Sequence, residues 1–424
     1  MQSVCIQKDC RMNKKKVLFV IPYLYEGGAQ RFLSNLQSCF PEDWEIETLV
    51  NSEYKKAYQF RGLIHTLDVN EVPRTGSVFF QFRVFVRRLL KLRKLKKTGE
   101  YSACVSMIDS SNVANILSGN RKCRTIISVV TSLSSIRNLP QYGLIVNPLA
   151  KLLYNRADNV VAVSEELRKE LIDEFGINEN RISAITTGCD INSINSRKLE
   201  PIEESIMTRL RGKRVICNVG RMSYPKGQWH LIRAFKSVKG SIPDAVLILA
   251  GEGELEKYLR DIIDRLDLSE DVILLGHTDN VYKYLNVSDV FAFPSLLEGF
   301  PNALAEALCV GIPCVATDFK TGARELLSPE LLFNGQVIDK ATECQYGLLT
   351  PICSGKLYTA DEPLEKGEVE LANALIKLLK NVDLSIRYRE LSSIRGKDLD
   401  IKNTVVKWVK LLENEESRRL HFGR

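Results

Sequence analysis

Glu298 and Glu306 lie in the run Pro294-Ser-Leu-Leu-Glu-Gly-Phe-Pro-Asn-Ala-Leu-Ala-Glu-Ala-Leu-Cys-Val-Gly-Ile-Pro313. A carboxylate can accept two hydroxyl hydrogen bonds, which is how a ribose diol or a sugar is held. Pro301 suits the first turn of a helix and Gly311 its end. Glu298 is then placed in the loop ahead of that helix, and Glu306 in its second turn. The free amides after Gly299 face the same space, where their dipole favours a phosphate. An ordinary helix with one glutamate on its wet face would carry the same residues, so this run needs company.

The company is cationic. Asn218-Val-Gly-Arg-Met-Ser-Tyr-Pro-Lys-Gly-Gln228 ends a strand at Gly220 and Arg221 and opens a helix at Lys226 and Gly227. Two cations at a strand's carboxyl end, close to a helix start, make a diphosphate clamp. Either alone reads as a solvated surface charge; the pairing between glycines points to an anion. Near the start, Val17-Leu-Phe-Val-Ile-Pro22 runs into Tyr25-Glu-Gly-Gly-Ala-Gln-Arg31. Strand, glycine pair and helix let a backbone approach a phosphate, although a tight turn would use the same pair. Leu249-Ala-Gly-Glu-Gly-Glu254 holds Gly251 and Gly253 but lacks the third glycine of a dinucleotide fingerprint, so no nicotinamide site is expected.

These motifs need rigid elements. Short β-branched runs alternate with amphipathic stretches. Strands are predicted at 17–21, 46–50, 64–67, 103–107, 124–130, 159–163 and 182–186, then at 215–219, 246–250, 272–275, 290–293, 314–316 and 347–350. Such alternation implies parallel sheets covered on both faces. The polar segment 190–213 lacks a clear apolar period and reads as the connection between two α/β series. A helix over about 404–415 closes the chain. The expected domains are 1–195, 196–400 and a terminal helical segment, 401–424, packing back towards the first. Open sheets in tandem place a cleft between their carboxyl edges.

Composition fits this reading. The chain has 424 residues, is 45% hydrophobic and 26% charged, and carries a formal net charge of +7. That length suits two domains, and a basic balance suits an anionic partner. No apolar run reaches the ~18–20 residues of a membrane helix. Lys14 to Lys16 before Val17 to Leu24 mimic a signal peptide, but the run is short and Gly27-Gly28 follows closely, so a buried strand is expected. The 11 cysteines are scattered without Cys-x-x-Cys or a histidine cluster, which reads as reduced thiols in a cytoplasmic protein and no zinc site.

Gly27-Gly28-Ala29-x-Arg31, Gly220-Arg221 with Lys226-Gly227, Gly251-x-Gly253, and Glu298 with Glu306 resemble, in order and spacing, the family 4 retaining glycosyltransferases. Ala316-Thr-Asp-Phe-Lys-Thr-Gly-Ala-Arg-Glu-Leu-Leu327 and Tyr346-Gly-Leu-Leu-Thr-Pro351 look like a branch serving bacterial surface polysaccharides. The resemblance implies the GT-B fold, two Rossmann-like domains facing a cleft. It implies that Arg221 and Lys226 hold the donor diphosphate, that Glu306 binds the ribose, and that Glu298 contacts the transferred sugar with the backbone of Gly299 and Phe300. Gly28 lines the phosphate from the first domain, Gly220, Gly251 and Gly253 border the donor, and His277 and Thr278 fall beside the base. Gln30 replaces the family's usual glutamate. Val129, Val130 and Thr131 offer nothing titratable where relatives often place a histidine or charge, so no protein base is assigned.

The function expected is transfer of a hexose or N-acetylhexosamine from a nucleoside diphosphate sugar, UDP favoured over GDP, to a lipid-linked or polysaccharide acceptor. No metal ion and no cofactor are expected. Nucleic acid is not an expected partner, because basic–aromatic interleaving is missing. A transferase for a small soluble acceptor and a non-catalytic binding module are the alternatives. The acid-free segment Phe79–Lys97 argues against the first. Phe82, Phe85, Val86, Leu89, Leu90 and Leu92 recur there at helical spacing, with Arg83, Arg87, Arg88, Lys91 and Lys94 favouring another side. Such a helix could rest its cations on an anionic membrane surface; covering the sheet would use the same pattern.

Overall fold

Runs that are apolar on both faces form strands only when helices cover both sides, and this chain does so twice. The computed structural model describes residues 15–414 apart from 26, 54, 55, 68, 70–77, 121 and 138–141. The first series is β1 (Lys15–Val20), α1 (Gly28–Ser38), β2 (Trp44–Val50), β3 (Leu63–Thr66), α2 (Val78–Thr98), β4 (Ala103–Met107), α3 (Asp109–Leu117), β5 (Arg124–Val129), α4 (Asn147–Leu153), β6 (Asn159–Ala162), α5 (Glu165–Asp173) and β7 (Ile182–Ala184). Two short helices follow, α6 (Ile191–Arg197) and α7 (Glu204–Leu210). The second series is β8 (Arg214–Val219), α8 (Gln228–Ser241), β9 (Ala245–Ala250), α9 (Glu256–Arg265), β10 (Val272–Gly276), α10 (Tyr282–Asn286), β11 (Val290–Phe293), α11 (Asn302–Val310), β12 (Cys314–Thr317), α12 (Ala323–Leu327), β13 (Thr342–Glu343), β14 (Leu348–Thr350), α13 (Lys366–Lys380), α14 (Val382–Asp398) and α15 (Ile401–Glu413).

Each series makes a seven-stranded sheet. The orders are β3-β2-β1-β4-β5-β6-β7 and β10-β9-β8-β11-β12-β14-β13, and among the described residues the single antiparallel strand pair is β13 with β14. In both, the winding direction reverses beside the series' first strand, between β1 and β4 and between β8 and β11. Open parallel sheets bind ligands at that reversal, outside the strands' carboxyl ends. The Gly27-Gly28, Gly220-Arg221 and Glu298-Gly299 motifs stand in the loops after β1, β8 and β11, so the topology delivers all three to the cleft. This is the GT-B arrangement.

Four elements depart from the sequence reading. The polar connection is not structureless: α6 and α7 each hold seven residues, too short for a period to show. The two-residue β13 gave no signal. In α2 the buried face differs from the expected stripe. Val84, Arg88, Leu92 and Lys96 turn inward at four-residue spacing, while Phe82 and Leu90 are 64% and 57% exposed. Arg88 is thus withdrawn from the surface, because Asn51 and Ser110 offer its guanidinium acceptors at 2.8 and 3.0 Å. Lys96 likewise reaches the Asn115 carbonyl at 2.9 Å. Counting apolar residues cannot foresee such inward acceptors.

The chain crosses between the sheets at two places that touch. Cys189 N donates to Leu399 O at 2.8 Å and Ile401 N to Cys189 O at 2.9 Å. Beyond the second crossing α15 lies on the first sheet's side, where Val405, Trp408 and Leu412 share a core with Val17, Phe19 and Trp44. Another core cluster passes from Ile127, Leu153 and Leu167 to Phe300, Leu304 and Ala323, joining the halves across the cleft's base. No helix among the described residues is long and apolar enough to cross a membrane.

Candidate active site

The floor of the second half is backbone packed on backbone. Gly220 N donates to Ala250 O at 3.0 Å, and Gly251 N to Gly276 O at 2.9 Å. Gly251 has φ +137°, and a Cβ there would overlap the Gly220 carbonyl, so only glycine permits this approach. Gly253 lies as closely on Met222. His277, exposed, follows Gly276 on the rim; its amide donates to Glu252 Oε1 at 3.0 Å. The Thr278 hydroxyl accepts from Asn280 N at 3.3 Å.

Charges stand on this floor. Arg221 is exposed, and its guanidinium meets no carboxylate among the described residues. Gln228 Nε2 fixes the turn beneath it by donating to Arg221 O at 2.9 Å. Lys226 Nζ pairs with Glu298 Oε1 at 2.5 Å, and Ser295 Oγ donates to the same oxygen at 2.9 Å. The structure thus joins two residues that sequence placed 72 positions apart. Their side chains are 24% and 10% exposed, so the pair is shielded yet reachable. The Glu298 carbonyl accepts from Thr321 Oγ1. Thr321 has φ +74°, unfavourable for a β-branched residue. That bond holds it there and so ties the 321–324 motif to the Glu298 loop.

At Gly299 the two halves approach backbone to backbone. A Cβ on it would overlap the Val130 carbonyl beyond β5. Phe300 is buried in the shared core behind it, 6% exposed. Gly28 opens α1, and a Cβ on it would lie 2.9 Å from Asn302 Nδ2 at the start of α11. Asn302 Oδ1 in turn accepts from Thr187 Oγ1 at 2.6 Å.

A family profile described as "Glycosyltransferase Family 4" matches residues 26–193, and one described as "Glycosyl transferases group 1" matches 203–344. An uncharacterized glycosyltransferase of Methanocaldococcus jannaschii is 36% identical over 417 residues, covering 95% of this chain and 99% of that one. The chain belongs to glycosyltransferase family 4. Another relative, 29% identical over 82% of this chain and 92% of its own, is a Campylobacter jejuni N-acetylgalactosaminyltransferase whose name specifies an acceptor on diphospho-undecaprenol. Among solved structures, Anabaena HepE with UDP and glucose superposes with TM-score 0.70 at 19% identity, covering 94% of this chain and 100% of that one. A Thermosynechococcus elongatus sucrose-phosphate synthase gives 0.71 at 14% identity, covering 97% and 100%. These likenesses confirm the fold.

Within this glycosyltransferase Glu306 has a neighbour that sequence gave no role. Arg31 Nη2 of α1 lies 2.7 Å from Glu306 Oε1, across the cleft. Tyr282 of α10 donates to the same oxygen at 3.4 Å and also accepts from Arg31. Burial pushes the Glu306 carboxyl up, against the pull of Arg31, and Glu306 raises Arg31 in turn. Arg31 was visible in the glycine motif, but Tyr282 carries no signal; only folding brings it to Glu306. A second bridge joins Lys320 Nζ to Glu170 at 3.0 Å, with Ser132 and Ser134 on the same carboxylate. The one His/Cys/Glu group among the described residues, His230, Cys353 and Glu365, is engaged structurally. His230 Nδ1 bonds Glu368 at 2.8 Å, and Glu365 caps α13.

Proposed function

We propose that this transferase moves a hexose or N-acetylhexosamine from a nucleoside diphosphate sugar, UDP favoured, to a lipid-linked or polysaccharide acceptor, with retention and without a metal ion. The carrying observation is the Lys226–Glu298 pair beside Arg221 on a glycine-cut floor. Arg221 and Lys226 offset the negative charge that builds on a departing diphosphate, the largest electrostatic demand of the step. Glu298, already aligned by Lys226 and Ser295, receives sugar hydroxyls. Glu306 uses Oε1 for Arg31 and Tyr282, leaving Oε2 for the ribose. Val130 and Thr131, at the sugar's other side, hold no titratable group, so the leaving phosphate takes the acceptor's proton. The acceptor oxygen bonds the anomeric carbon on the face from which the phosphate oxygen departs.

The acceptor reading draws on the Campylobacter jejuni relative and on α2. Phe79, Phe82 and Leu90 are exposed there beside Arg83, Arg87, Arg93 and Lys94. Apolar groups among cations, with no acid between, fit an anionic bilayer surface, at about 1 kcal/mol for each cation near it. Replacing Arg83, Arg87 and Arg93 by glutamine should weaken co-sedimentation with phosphatidylglycerol vesicles; equal binding to neutral vesicles would remove the membrane.

The donor is tested by thermal shift against uridine, guanosine and adenosine diphosphates and their sugars. A ligand at a hundred times its Kd stabilises by about 2.7 kcal/mol. Selective stabilisation by one base, and transfer that survives a chelator, are expected. No shift with any nucleotide, or activity restored only by manganese, overturns the reading.

A further inference from the structure

A cavity of about 160 Å³ opens at the carboxyl edge of the first sheet, at its β1/β4 reversal. Tyr23 beyond β1, Asn51 beyond β2, Ser110 in α3, and Phe80, Val84 and Arg88 of α2 line it. Arg88 is 4% exposed and donates to two neutral acceptors, Asn51 Oδ1 and Ser110 Oγ. Among the described residues no carboxylate pairs with it. Asp109, next to Ser110, accepts from Tyr154 instead, at 3.0 Å. Burial without a counter-charge brings Arg88 down to about 10.

The other buried cations show what is unusual here. Arg233 pairs with Glu368 at 2.8 Å. Lys96 donates to Asn115 O, and Arg124 to Leu411 O and Leu412 O, carbonyls at the ends of α3 and α15 where the helix dipole is negative. Arg88 alone among the described buried cations lines this cavity. A buried cation is costly unless it is paired, and a guanidinium has five donors in a fork that fits phosphoryl oxygens.

We propose that the Arg88 cavity seats a phosphoryl group of the acceptor, the diphosphate that joins an acceptor glycan to its lipid carrier. This rests on the lipid-linked reading above and deepens it. Phe80 and Val84 wall the cavity with apolar surface. Phe79 and Phe82, 77% and 64% exposed on the same turns of α2, offer a prenyl chain a path from the mouth towards a bilayer.

The probe is geranyl diphosphate, measured by equilibrium binding to the full chain, with inorganic phosphate and phosphatidylglycerol vesicles alongside. Arg88→Met should fold, because an apolar chain replaces an uncompensated charge. It should bind geranyl diphosphate about tenfold or more weakly, the loss expected for hydrogen bonds to a charged group. Ser110→Asp, which gives Arg88 a carboxylate at the same position, should do the same and carries the test if Arg88→Met does not fold. Lys226→Ala, which disables the donor clamp, should leave this binding intact. Wild-type affinity in both cavity variants overturns the proposal. So does inorganic phosphate binding as tightly as geranyl diphosphate, which marks a free-phosphate site. Vesicle binding that falls in Arg88→Met while geranyl diphosphate binding holds assigns the site to bulk lipid and also overturns it. Binding is read without turnover, so a failure to glycosylate lipid-linked acceptors counts against the acceptor reading and leaves this measurement standing.

Discussion

At the carboxyl edge of the second sheet, Gly251 lies against Gly220 and Gly253 against Met222, with backbone touching backbone. At the same edge of the first sheet, Tyr23, Asn51 and Arg88 stand around open space. Backbone packed on backbone leaves these turns little room to rearrange, which suits a ligand part that never varies, such as the diphosphate proposed to bind there. A cavity bounded by long polar side chains can be reshaped by single substitutions, which suits an acceptor that differs from one relative to the next. The rigid half and the adjustable half meet at Gly299 and at the ion pairs across the cleft.

Four substitutions probe that division. Lys226→Ala removes charge from the rigid half and leaves Glu298 unpaired. Turnover should fall on the order of a hundredfold or more while the acceptor's KM stays put. Steady-state kinetics with wild-type turnover would remove the clamp from Lys226. The seam comes next. Glu325 Oε2 accepts from Glu165 N at 2.8 Å, and burial, with Glu166 and Glu165 nearby and Arg395 opposing, pushes its carboxyl up to about 7. The folded form therefore holds a proton that the unfolded chain has lost, and stability should fall as pH rises from about 4.5 to about 7, by about 3 kcal/mol in all. Glu325→Gln should flatten this and melt higher than wild type at pH 8. Identical pH profiles by calorimetry would mean that the seam does not feel this carboxyl.

Gly299→Ala pushes a methyl group into Val130 and should part the halves slightly. Displacements of about 1 Å cost about a hundredfold in rate, and donor binding should suffer less. Unchanged kcat/KM would show that the approach is not needed for transfer. Smallest is Glu306→Ala, which loses a hydrogen bond to a charged group, about 1.5–3 kcal/mol, expressed in donor affinity more than in turnover. Titration with the nucleotide that stabilises the protein checks it; an unaltered Kd would place the ribose elsewhere.

The division also explains what could be read from sequence. Strands such as Ala103–Met107 and Val290–Phe293 are buried on both faces, so their composition betrays them with their ends. The loops that carry Gly220-Arg221 and Glu298 were legible for the same reason, because each begins where a buried strand's apolar run ends. Arg88 was misplaced because helical spacing reports periodicity and not what waits beneath the helix; Asn51 and Ser110 arrive from other elements. Tyr282 could not be tied to Glu306, nor Lys226 to Glu298, because each pairing is made by the fold alone. The short helices α6 and α7 escaped because one or two turns hold too few residues for a period.

The return of α15 has a consequence for the order in which this protein can be made. Trp408 is fully buried against a face that includes Val17, Phe19 and Trp44, so β1 keeps an apolar flank uncovered until α15 is translated. The whole second series lies between them. At ribosomal speeds of about 5–20 residues per second that wait is about 20 to 80 s. Through that interval the nascent first half carries a bare hydrophobic strip, and chaperones that hold such strips would meet this chain on the ribosome before its two halves ever close.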